Sequence, residues 1–466
     1  MKTNKLLSLG IPKGTAIKLA IQAAKGYAKS QPRPSVTSED MFAQVVSKPE
    51  NYTDDTIFGP LARELVHIQQ VKAHYQKCNK PVAYSQWGTD LEVQSIQQME
   101  NACRLPISVA GALMPDAHMG YGLPIGGVLA TENAVIPYAV GVDIACRMKM
   151  TVLDLPVSAI REQTARLAQA IERETRFCIG AEFKRKRQHA IMDRDWSITR
   201  SMKIDKDKAW RQLGTSGSGN HFAEFGTLTL AESDLGLAAG TYLALLSHSG
   251  SRGTGNLIAT HYSKLAADLH PELPKDLVHL AWLDLDSDIG QEYWQAMTLM
   301  GQYAAANHEL IHRHIAEHLG VDVLLDIENH HNFAWKERHL DRDLIVHRKG
   351  ATPAALGDIG IIPGSMGTPG FVVRGKGNPL SLNSASHGAG RRMSRTAAKK
   401  RFSWKDIKYY LKEREILLLS AGLDEVPMAY KDIHEVMAAQ SDLVDTIARF
   451  DPKIVKMAPP GERPED

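Results

Sequence analysis

The sequence predicts an α+β fold: a single large domain of mixed sheets with helices around them. Three observations predict it. Short strand-like apolar runs and helical patterns are interleaved without the steady strand–helix alternation of a doubly wound sheet. Gly-containing turns punctuate the chain densely from Trp87 onward. The composition, 43% hydrophobic and 23% charged over 466 residues, suits a soluble globular protein with a sizeable core. It excludes a disordered tail protein, a collagen-like repeat and a small disulfide scaffold. Lys+Arg number 55 and Asp+Glu 53, a net charge of +2, so any basic surface has to be local. No repeat of about 20–50 residues is visible.

The elements follow in order. A helix is expected over Thr15–Lys25, then a polar linker over Ser30–Ser38 carrying Pro32 and Pro34. A second helix is expected from Ile57 to Gln76, with Leu61, Leu65, Ile68 and Val71 on one face. These make a helical extension over residues 1–84, ahead of a main domain over 85–458. In that domain strands are expected at Gly126–Ala130, Met148–Leu153, Leu243–Leu246, Val321–Ile327 and Phe371–Val373. Helices are expected at Ala159–Thr175, Thr254–Asp268, Gly290–Leu319 and Trp404–Leu419. Residues 459–466, with Pro459, Pro460 and Pro464, read as a flexible tail. Cys78, Cys103, Cys146 and Cys178 form no CxxC pair and read as reduced thiols. No membrane-spanning or signal segment is expected, so the cytoplasm is the expected compartment.

The chemistry-bearing residues concentrate in Gly-rich turns, where a rigid scaffold usually presents its sites. Met114-Pro-Asp-Ala-His-Met-Gly120 is followed by Gly141-Val-Asp-Ile-Ala-Cys146. Asp143 and Cys146 together suit a borderline divalent cation, although a structural Asp and a buried Cys are the plainer account of either alone. Leu213-Gly-Thr-Ser-Gly-Ser-Gly-Asn-His-Phe222 can bring backbone close to an anion, yet it is neither a Walker loop nor a Rossmann fingerprint. Ser247-His-Ser-Gly-Ser-Arg-Gly-Thr254 carries His248 and Arg252, whose planar fork could clamp a phosphate. Glu328-Asn-His-His-Asn332, Ile362-Pro-Gly-Ser-Met-Gly367 and Ser386-His-Gly-Ala-Gly-Arg391 complete the set. One Asp, one Cys and three His would make a ligand set for one or two transition-metal ions, a recurring device for phosphoryl transfer. Basic clusters at Lys184–Arg187 and over Arg391, Arg392, Arg395 and Lys399–Arg401 are dense enough to contact phosphates.

Ten of these stretches, in order, resemble the RtcB family of GTP- and Mn²⁺-dependent RNA ligases, which join 3′-phosphate to 5′-hydroxyl ends in RNA repair and tRNA splicing. They are MPDAHMGYGLPIGG, AVGVDIAC, LGTSGSGNHF, HSGSRGTGN, HHN, RKGA, IPGSMG, SHGAGRRMSR, MAYKDI and a late Lys456, spanning about Trp87 to Met457. The resemblance implies a deep cleft for metal and nucleotide. It implies one Mn²⁺ held by Asp143, Cys146 and His221, and a second held by Cys146, His248 and His331. His387 would be the nucleophile that becomes guanylylated. The GTP pocket would comprise Asn220, His221, Phe222, Ala223, Glu224, His331, Asn332, Pro363, Gly364, Ser365, Met366, His387, Gly388, Ala389, Gly390 and Lys456. Arg252, Arg391, Arg392 and Arg395 would contact RNA bearing 3′-phosphate, or 2′,3′-cyclic phosphate, and 5′-hydroxyl ends. A monomer is expected, with room for an accessory activator protein and no membrane. Gly370 stands where the family usually has a serine, and Arg147 where glycine is common. Two other readings stand beside this one: a metal-dependent phosphoesterase or other nucleotidyltransferase acting on nucleic-acid ends, and a non-catalytic RNA-binding protein.

Overall fold

The computed structural model describes residues 2–12, 14–30, 36–77 and 80–462. Its centre is a sheet of seven strands in the order Ile359–Ile362, Gly370–Gly375, Val444–Met457, Phe222–Leu230, Gly240–Ser249, Arg147–Leu153 and Val323–His330, all antiparallel. An eighth strand, Leu417–Ser420, runs parallel to the end of Val444–Met457. The sheet curls nearly closed. Asn329 on its last strand accepts a hydrogen bond from the Ile361 N–H on its first, at 3.0 Å. Met148, Met150, Val152, Leu228, Leu246 and Ile361 fill one side. Ala223, Phe225, Leu243 and Leu245 fill the other, beneath Thr164–Glu174 and the long helix Asp288–Leu319. Alternate residues therefore serve opposite faces, as the two-residue period of a strand requires.

A second sheet of five strands, ordered Tyr84–Gln86, Ser108–His118, Ile125–Thr131, Arg342–Lys349 and Asn332–His339, stands beside the first. The two are joined through His331, which lies between Val323–His330 and Asn332–His339. The mixed architecture is the α+β fold expected from sequence.

The expected helices and strands appear with shifted ends. Thr15–Lys25 extends to Ser30, and Leu61, Leu65 and Ile68 of the helix Gly59–Lys77 are buried. The Val71 side chain lies outside the described part. So do residues 31–35 of the expected linker, Cys78, and residues 463–466 of the expected tail. The described start of that tail is held, since the Ile179 N–H donates to the Glu462 carboxylate at 3.3 Å. Two expectations need correction. The helix over Ala159–Thr175 is broken at Gln163 into Ala159–Glu162 and Thr164–Glu174. The helix over Trp404–Leu419 ends at Glu413, and Leu417–Ser420 is recruited as an edge strand by the backbone of residues 454–456. Tertiary pairing overrides local helical pattern there. Cys103, Cys146 and Cys178 are free thiols.

The N-terminal helices Thr3–Ser8, Thr15–Ser30, Ser38–Ser47 and Gly59–Lys77 pack around a core of their own, with Leu6, Ala20, Phe42, Val45, Phe58 and Leu61 inside.

Candidate active site

One end of the large sheet gathers the donors. Cys146 immediately precedes the strand starting at Arg147, and His221 the strand starting at Phe222. His248 lies near the end of Gly240–Ser249, and His331 follows the end of Val323–His330. The register sets Arg147 opposite His330, Met148 opposite His248 and Phe222 opposite His248, so strand pairing alone places the four side chains side by side. Asp143 joins them from the turn before Cys146. A glycine is required where Ser249-Gly250-Ser251 passes this turn, because a Cβ on Gly250 would lie 2.1 Å from Asp143 Oδ1.

The donor atoms form a chain. Asp143 Oδ2 is 2.9 Å from His221 Nε2, which is 3.3 Å from Cys146 Sγ. That sulfur is 3.0 Å from His248 Nε2, itself 3.1 Å from His331 Nε2. All five side chains are buried. Burial holds the His248 imidazole down at about 3, and pushes His331 well below the usual histidine range. Asp143 is raised by burial but lowered more by its hydrogen bond and charge interaction with His221, to about 2. The His248 ring donates from Nδ1 to the Asn220 carbonyl at 3.1 Å, leaving the Nε2 lone pair turned inward. Imidazoles, a thiol and a carboxylate converging in this way fit transition-metal cations, and a backbone-bonded second ring nitrogen, as in His248, is the usual support of a metal-binding histidine.

Beside the cage stands His387. Its ring centroid is 5.0 Å from that of His331. Its Nδ1 lies 2.7 Å from Oδ2 of Asp116, a residue with no exposure to solvent. The same oxygen accepts from the backbone N–H of His387 at 3.2 Å and of Gly388 at 3.4 Å. An ionised carboxylate oxygen only accepts, so Nδ1 carries a proton, and in the neutral ring the lone pair is on Nε2. The turn after His387 lies tight on the strand carrying Asp116. Gly390 has φ +72°, and a Cβ there would stand 2.1 Å from the Asp116 carbonyl oxygen.

Cage and His387 open into a single cleft of about 1650 Å³. Its walls include Asn220, Phe222, Glu224, Asn332, Lys349, Pro363–Met366 and His387–Gly390. Glu224 is paired through its backbone on both sides, but its carboxyl has no hydrogen-bond partner among the described residues, and burial raises it well above the usual range. Burial lowers the Lys349 ammonium to about 7, and it donates to the Tyr121 carbonyl at 2.5 Å.

The model of the family described as "tRNA-splicing ligase RtcB" matches residues 98–209 and 195–457. The chain is 36% identical to the RNA-splicing ligase RtcB of Escherichia coli over 398 residues, covering 79% of this chain and 95% of that protein. It is 34% identical to the RNA-splicing ligase RtcB of Mycobacterium tuberculosis over 430 residues, covering 76% and 98%. With the tRNA-splicing ligase RtcB of Nanoarchaeum equitans it shares 32% over 441 residues, covering 78% and 91%.

This chain belongs to the RtcB family.

In this RtcB-family protein most of the residues singled out from sequence come together, and some do not. Asp143, Cys146, His248, His331 and His387 all face the cleft, and His221 lies behind Cys146 at its base. The expectation for Lys456 is corrected. Val455 and Met457 line the cleft, so the two-residue strand period turns Lys456 to the opposite face, where its ammonium pairs with Glu172. Ala223, its partner in register, likewise points into the core beneath the sheet. The expectation that Arg252 contacts RNA is also corrected. Arg252 is 4% exposed, and its guanidinium faces His221 Nδ1 and Ser249 Oγ at 3.3 Å, behind the cage. Arg391 and Arg395 line the cleft but are paired with Glu425, leaving Arg392 as the exposed member of that group. Arg147, which stands where the family often has glycine, is buried against Glu328 at 3.0 Å and is absent from the cleft walls. The sequence signals Asp116 only through its place inside the MPDAHMG motif.

Among the described residues no helix is long and apolar enough to cross a membrane.

Proposed function

We propose that this protein is an RNA ligase that joins RNA 3′-phosphate ends, or 2′,3′-cyclic phosphate ends after hydrolysis, to 5′-hydroxyl ends through a guanylylated His387. The observation that carries the reading is His387 itself. Its Nδ1 lies against buried Asp116, and its ring centroid is 5.0 Å from that of His331, one of the five cage donors. In the tautomer with the proton on Nδ1, Nε2 is a nucleophile without needing a separate base. It attacks the α-phosphorus of GTP and pyrophosphate leaves. An RNA 3′-phosphate oxygen then takes the GMP, returning the electron pair to Nε2. A 5′-hydroxyl attacks the activated 3′-phosphate, losing its proton, and GMP departs.

Asp143, Cys146 and His221 would hold one Mn²⁺, and Cys146, His248 and His331 the other. When bound, such a pair neutralises charge on the transferring phosphoryl groups and fixes an in-line geometry. Glu224 supports guanine as the base. Its buried carboxyl in the cleft wall, ionised by the contact itself, would accept from guanine N1–H and N2–H₂, a donor pair that adenine lacks. Lys349, able to gain a proton near neutral pH, supplies charge where a phosphate arrives.

The test is incubation with α-labelled GTP and Mn²⁺. A protein-bound label that is acid-labile and alkali-stable, and that vanishes in His387→Ala, is expected. Label retained in that variant removes His387 from its role. Failure of the parent protein to label favours a phosphoesterase using the same cage.

A further inference from the structure

We propose that the helix pair Arg395–Arg401 and Trp404–Glu413 is the docking surface for the body of the RNA whose ends enter the cleft. The inference rests on the ligase reading and extends it from the reacting ends to the rest of the substrate.

The first observation is charge. Residues 391–414 contain ten Lys or Arg against two Asp or Glu, while the other 442 residues contain 45 against 51. A chain close to neutral has therefore concentrated its excess positive charge in one short segment. The second is what the structure does with that charge. Arg391, Arg395 and Lys399 turn inward to Asp424 and Glu425, and Arg414 stacks on Tyr410 at 3.6 Å. Arg392, Lys400, Arg401, Lys405, Lys408 and Lys412 are exposed and have no acidic partner among the described residues.

The third is arrangement. Lys405, Lys408, Tyr409 and Lys412 stand at i, i+3, i+4 and i+7, so they share one helix face. Tyr409 is 67% exposed in their midst. Cations spaced along a helix with an accessible aromatic ring among them match a nucleic-acid backbone and an unstacked base. The fourth is continuity with the cleft. Tyr410 Oη donates to the Gly367 carbonyl at 3.4 Å, so the helix packs on the turn whose preceding residues form the cleft wall. Arg392 is at once exposed and part of that wall. A lipid surface is the poorer fit. The apolar residues of the second helix, Ile407 and Leu411, are buried with Met366 and Met457 in the protein, so no apolar face remains for a bilayer.

The experiment uses the full chain with Lys405, Lys408 and Lys412 changed together to Glu, and in a second variant together to Gln. Guanylylation of His387, which needs no RNA, reads the cleft and fold independently. A hairpin RNA of about 30 nucleotides with a 3′-phosphate is bound over a range of salt, as is a trinucleotide with the same end. For the hairpin, the Glu variant is expected to bind about tenfold or more weakly, with the log–log salt slope shallower by about two. The Gln variant falls between, and trinucleotide affinity and guanylylation stay at parent values. A hairpin affinity and slope equal to the parent's in both variants would overturn the proposal. So would capture of the parent, but not the variants, on phosphatidylserine vesicles with RNA binding intact. Loss of labelling in the parent sinks the ligase reading alone, because the hairpin measurement still decides the docking surface.

Discussion

Asp116 shows what a single residue contributes that a motif cannot. It lies 271 positions from His387 in sequence, and only the fold sets its carboxylate 2.7 Å from Nδ1. Its presence in MPDAHMG was the available signal; its partner was not, because nothing local says which histidine a buried carboxylate orients. The misplacement of Ala223 and Lys456 was avoidable. Adjacent strand residues face opposite ways, so Ala223 and Glu224 cannot both line one cleft. Asp116→Asn tests the orienting role. An amide can present its N–H₂ to Nδ1, which favours the tautomer whose proton is on Nε2 and so removes the nucleophilic lone pair. The expected result is a loss of His387 labelling by about 10²- to 10⁴-fold, the range commanded by a positioned proton-handling group. The melting temperature and GTP affinity should change little. Labelling at the parent rate in Asp116→Asn would show that the contact is only structural.

Elements were legible where one periodicity ran uninterrupted. The long helix ends at Leu319 as expected, and the strand over Met148–Leu153 differs by a single residue. They were illegible where partners decide: Leu417–Ser420 is apolar enough for either state, and pairing with residues 454–456 made it a strand. The N-terminal helices raise a different question, since the family match begins at residue 98. Their core is self-contained, with Phe42 fully buried and edge-on to Phe58 at 5.2 Å. The expected extension runs to residue 84, but Tyr84 pairs with Gly111 in the second sheet. We therefore propose that the helices from Thr3 to Lys77 form a unit stable apart from the main domain. Phe42→Ala would then cost about 3–5 kcal/mol, a large share of a small unit's stability. Two separated unfolding transitions are expected by calorimetry, the lower one belonging to the N-terminal helices, with His387 labelling kept. One shared transition, or lost labelling, would show instead that the helices are integral to the catalytic fold.

Across the whole molecule, buried histidines tie stability to pH. Cations crowd one surface helix pair, while the interior around the two sheets holds histidines that must stay neutral. His347 is the clearest case. Its Nε2 accepts the Ile136 N–H at 2.9 Å, its Nδ1 bonds the Leu129 carbonyl at 3.2 Å, and burial lowers it to about 4. His330 is lowered by burial, then by Arg147 and Arg348, to about 3. His308 and His312, sharing the Ser247 hydroxyl at 2.9 and 2.8 Å, are pushed the same way by burial. The sign follows from linkage. In the unfolded chain each imidazole takes its proton near 6.5, whereas the folded state refuses it until about 4 or 3. Between those values the unfolded state binds more protons, so stability falls as the pH drops. Each such histidine contributes a slope of up to about 1.4 kcal/mol per pH unit. Urea titrations of the metal-free protein should give a nearly constant midpoint above about pH 7 and a steep decline from about pH 6.5 to pH 5. His347→Gln keeps one backbone bond and does not titrate, so it should flatten that decline while lowering stability at neutral pH. A midpoint that rises on acidification would mean that these rings are protonated inside the fold, and that the neutral interior on which the metal cage depends does not exist.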